Sequence, residues 1–138
     1  MSAGDPPAAA PGSGRPGRAE TALLRAVLHI LFGVWGLGVR EAAPILGGVH
    51  LRTLFQWREH PEAASIDVAL RSRLSALLGL YRALRRLHQD AAAQREWLRT
   101  PDADGQTPVA RLMDAHHGDI RSLCDRVGLD PHGESTAR

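Results

Sequence analysis

Lysine and asparagine are absent from this chain of 138 residues, and all of its basic side chains are arginine. Such a bias points to a GC-rich genome and identifies no function by itself. Cysteine occurs once, at Cys124, which excludes an intramolecular disulfide and agrees with a reducing, cytoplasmic setting. Aromatic residues make up only 4%, so leucine, valine and alanine must fill most of the core. No basic stretch followed by an apolar one opens the chain, so no secretory leader is expected. Alternating valine-rich runs are missing, and no strand is expected. There is no phosphate-binding loop, dinucleotide fingerprint or nucleophile elbow. Among seven histidines the densest group is His116–His117 with Cys124. Adjacent histidines on a helix diverge, and no second cysteine or carboxylate arrangement completes a tetrahedral set. No metal, no cofactor and no enzymatic activity are therefore expected. The formal net charge of +2 permits a nucleic-acid partner without requiring one.

What remains is helical periodicity, and the class it predicts is all-α. Residues 1–18, "MSAGDPPAAAPGSGRPGR", hold no large apolar side chain and predict a disordered arm; residues 131–138 predict a disordered tail. A first helix is expected over 20–35, loosened and ended by glycines at 33, 36 and 38. This segment is apolar enough to raise the membrane reading. However, Arg18, Arg25, His29, Gly33 and Gly36 recur at spacings of three, four and seven, drawing a polar stripe that favours a soluble helix with no membrane partner. Short helices follow in "VREAAPILGG" and "HLRTLFQWREH", the second stopped by Pro61. Ser65 is the expected N-cap of a long helix over 66–88, which carries Ile66, Leu70, Leu74, Leu77, Leu78, Tyr81, Leu84 and Leu87 at helical spacing. Asp67, Arg71, Arg85 and Arg86 read as its solvated face. Further helices are expected over 90–99, 108–115 and 119–127.

The stretch "EAAPILGGVHLRTLFQWREH" has the form of a helix-turn-helix unit: two helices joined by a glycine turn, the second free to enter a major groove. Leu51, Leu54 and Trp57 should face inward. His50, Arg52, Thr53, Gln56 and Arg58 then form the candidate DNA-binding set, since arginine and glutamine suit bidentate readout of guanine and adenine. "GVxxxTLxxW" at residues 48–57 resembles the turn and second helix of Xre-type regulators, with departures at Pro44 and at the extra glycine, Gly47.

Further along, "RLSALLGLYRALRRL", "WLRTP", Gly105, "TP" at 107–108 and the apolar run behind them stand in the order of the toxin-binding domain of Xre/MbcA/ParS antitoxins. The resemblance covers residues 20–128. It implies two regions, a helix-turn-helix region over 19–64 and a small helical toxin-binding domain over 65–130. It also implies a type II antitoxin that binds a RES-domain, NAD-consuming toxin, blocks its active site and represses its own operon. Separately, the helices at 21–35 and 66–88 carry more apolar surface than one small bundle covers, so a homodimer, which would also match a palindromic operator, is expected. The toxin-facing residues the resemblance suggests are Leu98, Arg99, Pro101, Asp102, Gln106 and Arg121, with Arg99 offering its planar fork to a carboxylate. The chain reads "PDADGQTP" where the family often carries asparagine after the first proline; Asp102 can make the same local side-chain to backbone bond. Two other readings fit the residues: a stand-alone helix-turn-helix regulator, and a helical interaction module that binds no DNA.

Overall fold

In the computed structural model, residues 17–114 and 117–128 are described. The expected arm, apart from residues 17 and 18, and the expected tail lie outside them, as does His116 of the histidine group. The fold is all-α. Seven helices run in the order α1 (Arg18–Leu28), α2 (Val39–Ile45), α3 (Leu51–Glu59), α4 (Val68–Leu87), α5 (Ala91–Arg99), α6 (Pro108–Asp114) and α7 (His117–Gly128), and no strand occurs among the described residues. None of these helices is long and apolar enough to cross a membrane.

The polar stripe of the first segment falls where its spacing predicts: Arg18, Arg25, His29, Gly33 and Gly36 are all exposed. The helix itself is not uniform. After Leu28 it widens into a π-helical stretch, His29–Val34, closed by the Trp35 N–H donating to Ile30 O at 2.8 Å. Gly33 allows this, because a Cβ there would stand 3.1 Å from the His29 ring. Gly36, at φ +66°, then turns the chain towards α2.

The long helix begins two residues later than the serine cap predicts. Asp67, not Ser65, is the N-cap, and its Oδ1 accepts the Leu70 N–H at 2.8 Å. A short 3-10 turn, Pro61–Ala63, and an extended segment fill the gap. From α4, Leu74, Leu77, Leu80 and Leu84 are fully buried.

One continuous apolar core joins residues from α1, α2, α3, α4, α5, α6 and α7. The boundary expected between residues 64 and 65 is therefore not a break in packing. Most large apolar side chains of the first and fourth helices are covered within the chain, with Val68 at the start of α4 the exception. The large hydrophobic side chains left exposed among the described residues are Leu51, Phe55 and Val68.

Polar side chains, two of them buried, tie the two halves together. Gln94, 1% exposed, accepts the Trp35 indole N–H at 3.0 Å and donates to His88 O at 2.9 Å. Arg95 donates to the carbonyls of Val34 and Gly33, satisfying the end of the π-helical stretch. Arg73, 7% exposed, donates from Nε to Ile45 O and from Nη2 to Pro44 O and Leu112 O, each at 3.5 Å for Nη2. It thereby caps the C-terminal turns of α2 and α6, where partial negative charge gathers.

Candidate functional site

The turn between α2 and α3 is built from its two glycines. Gly47 (φ +102°) and Gly48 (φ +86°) occupy left-handed backbone. Gly47 N–H donates to Pro44 O and Gly48 N–H to Ala43 O, so two of the orphan carbonyls at the end of α2 are satisfied in a Schellman arrangement. Gly47, a departure from the Xre-like pattern, is thus the residue that ends α2. Pro44 lies inside α2, where it removes one backbone donor, and α2 is only seven residues long.

Beyond the turn, α3 packs on the core through Leu54 (0% exposed) and Trp57 (7%). Leu51 does not join them. It stands 37% exposed because no element covers the first turn of α3 on that side, which corrects the inward placement expected from spacing alone. Arg52, Gln56 and Glu59 are separated by four and three residues and share the open face, all exposed. His50 is the exposed N-cap of α3 and accepts the Leu54 N–H through its backbone carbonyl. Thr53 lies at the flank, partly buried. Arg58 is exposed but held, with its guanidinium 4.1 Å from the centroid of the Phe32 ring.

Phe55, 49% exposed, sits on the same open face and was not among the expected contacts. Its signal in the sequence is its place three residues after Arg52, off the Leu54–Trp57 stripe. A large exposed aromatic between an arginine and a glutamine suits contact with a thymine methyl group.

Two clefts flank Trp57 and Ser65. One, of about 520 Å3, runs from Thr53 and Gln56 to His60 and Ala63. The other, of about 360 Å3, lies between α3 and the first turns of α4, with Leu46, Val49, Leu70 and Arg73 in its walls.

The second expected site, the loop between α5 and α6, is a closed turn. Asp102 Oδ1 accepts the N–H groups of Asp104 (2.8 Å) and Gln106 (3.1 Å), its backbone N–H donates to Gln106 O, and Gly105 turns at φ +82°. Arg111 from α6 closes the turn, with Nη2 2.6 Å from Asp102 Oδ2 and 3.3 Å from Asp104 Oδ2. Partial desolvation raises the Asp102 pKa, but the Gln106 N–H, the Arg111 guanidinium and the Asp104 N–H outweigh it and hold the carboxyl at about 2. Thr107 then caps α6, accepting the Ala110 N–H at 3.1 Å, and Pro108 starts it.

The six toxin-facing candidates separate by environment. Leu98 is 1% exposed and belongs to the core, so it is no surface anchor; the period of α5 turns it inward beside Gln94. Arg99 is exposed but paired: Nη1 and Nη2 meet the Glu41 carboxylate of α2 at 2.6 and 2.9 Å. That hydrogen bond is the main cause lowering the Glu41 pKa and raising that of Arg99. Asp102 serves the turn as described. Pro101, Gln106 and Arg121 are exposed. The structure thus brings Pro101, Asp102 and Gln106 together at one tip, whereas Arg121 stands on α7. Among the described residues no group of three histidine, cysteine or carboxylate side chains is placed to hold a metal ion.

Neither protein-family models nor the curated proteins contain a match to this chain.

Proposed function

We propose that this chain is a DNA-binding antitoxin of the Xre/MbcA/ParS kind, which reads its own operator through α3 and neutralises a RES-domain toxin through its C-terminal half. The observation that carries the DNA part is the open face of α3, where Arg52, Phe55 and Gln56 stand exposed opposite the Leu54–Trp57 packing side, behind a Schellman turn. A helix held by its inner face and bare on its outer one is what major-groove reading requires. Two half-sites call for a homodimer, whose mass in light scattering is twice the 14.9 kDa of one chain.

The toxin part rests on the motif resemblance and on a surface reduced to Pro101, Gln106 and Arg121, with Asp102 shaping the tip. Blocking an active site by occupation needs no catalytic group in the antitoxin. A second reading, a regulator with no toxin partner, is favoured by one observation: Leu98 and Arg99 are both engaged within the chain, so the "WLRTP" frame also has a purely architectural role.

Both parts have direct tests. Arg52→Ala and Gln56→Ala should each weaken operator binding by roughly 1–3 kcal/mol in mobility-shift titrations at stated salt, with the fold unchanged. Equal affinity of wild type and both variants removes the DNA reading. For the toxin, Gln106→Glu and Arg121→Glu are co-expressed with a RES-domain toxin while growth and cellular NAD are followed. Lost protection by a folded variant supports the antitoxin reading; full protection by both, and by Pro101→Glu, leaves the regulator.

A further inference from the structure

Position 73 lies on the buried stripe of α4, in register with Leu77, Leu80 and Leu84, yet it carries a guanidinium. A buried charge is normally matched by an opposite one. Here no carboxylate meets Arg73 among the described residues. Its acceptors are three backbone carbonyls, reached from Nε and Nη2, and Nη1 has no acceptor from those residues. Carbonyl dipoles at the ends of α2 and α6 solvate the cation but leave its net charge in place. Burial accordingly lowers its pKa, although an arginine remains protonated.

This cation lines the cleft of about 360 Å3 between α3 and α4. That volume is in the range of small-molecule sites, about 300–1,000 Å3. The other walls are mainly apolar: Leu46, Val49, Trp57 and Leu70. A mainly apolar cleft with a buried cation in its wall suits an amphiphilic ligand of opposite sign. Asp67 also borders the cleft, with Oδ1 already accepting the Leu70 N–H. Its negative charge disfavours a dianion such as a phosphate monoester and leaves room for a single negative charge at Arg73.

We propose that this cleft binds a small apolar monocarboxylic acid, its carboxylate held by the guanidinium of Arg73 and its hydrocarbon body laid against Trp57 and Leu70. Trp57 also walls the neighbouring cleft that contains Thr53 and Gln56, so the ligand rests against the inner side of α3. The site is separate from the DNA face and stands whether or not α3 reads DNA.

Because Arg73 also ties α2 to α6, the test turns on ligand chemistry rather than on its removal. The full chain is titrated by calorimetry with 3-phenylpropanoate and with hexanoate, then with the matching primary amides, which keep shape and lose charge. The indole NMR signal of Trp57 is followed in parallel. Saturable binding of an acid, at least ~10-fold weaker binding of its amide (a difference of ~1.4 kcal/mol) and a shift of the Trp57 signal are expected. Ala69→Leu, which narrows the cleft from an exposed position in the first turn of α4, should abolish binding while circular dichroism stays unchanged. No saturation by either acid up to about 10 mM overturns the proposal, as does equal affinity for acid and amide, or undiminished binding by Ala69→Leu.

Discussion

Arg99 and Glu41 face each other across the seam between α5 and α2, and both are partly solvated, with side chains 51% and 27% exposed. Exposed pairs contribute little, typically under about 1 kcal/mol, because water screens the attraction and two long side chains lose freedom. Arg99→Ala should therefore cost less than about 1 kcal/mol in denaturant unfolding. Arg99→Glu should cost more, because it sets two carboxylates face to face, and adding Glu41→Arg should restore most of the loss. A double variant no better than the single one would show that the pairing does not hold the seam. Any change in toxin protection by Arg99→Glu has to be judged against that double variant. At Asp102 the prediction concerns acid. The folded carboxyl, at about 2, lies below the ordinary value of about 4, so its stabilising effect is complete above pH 4 and is lost as pH falls towards 2. Asp102→Asn keeps an oxygen for the Asp104 and Gln106 N–H groups and removes the charge facing Arg111. The pH dependence of stability between about 4 and 2 should be shallower in that variant, measured as denaturation midpoint against pH.

At the scale of elements, the same chemical change has opposite signs in two places. Gly47 ends α2 at φ +102°, a conformation that costs an L-residue about 1–2 kcal/mol. Gly79 lies inside α4, where a Cβ would meet nothing within 4 Å. Gly47→Ala should destabilise by about 1–2 kcal/mol, whereas Gly79→Ala should stabilise by about 0.5–1 kcal/mol through lower chain entropy in the unfolded state. Thermal melts of the two variants decide this, and a stabilising Gly47→Ala would mean that the Schellman turn is not formed. Helix α5 illustrates a second point. Its length and start follow ordinary rules, with Asp90 accepting the Ala93 N–H at 2.8 Å. Its role in the fold comes from Gln94, Arg95 and Arg99, which reach back to Trp35, Val34 and Glu41.

For the whole molecule, these cross-links and the shared apolar core make the helix-turn-helix half and the C-terminal half one packing unit. Arg73 alone joins α4 to carbonyls of both α2 and α6. A single cooperative transition is therefore expected on heating, with coincident midpoints for helix content and for tryptophan fluorescence. Trp35 and Trp57 report on the first half and Trp97 on the second, so independent halves would separate the two signals. One body also means that the tip of the α5–α6 loop and the open face of α3 keep a fixed relation.

Much of this architecture is legible in the residues themselves. The polar stripe from Arg18 to Gly36, the leucine period of α4, the glycine turn before α3 and the Thr107–Pro108 helix start all depend on contacts within a turn or two, which local spacing records. The same holds for Asp102, whose turn closes within a few residues. What spacing does not record is which surface a distant element covers. Leu51 has the position of a core residue and stays exposed because nothing packs over it; Leu98 belongs to the "WLRTP" motif that reads as a surface tip, yet is buried. The choice of Asp67 over Ser65 as helix cap was settled by where Ile66 enters the core, at 6% exposure. Arg99 and Glu41 lie 58 positions apart and Trp35 and Gln94 lie 59, so only the folded chain pairs them. Arg73 shows the division most plainly: its register on the buried stripe of α4 is visible in the sequence, but the carbonyls that receive it belong to the ends of two other helices, and only their convergence makes a buried cation tolerable.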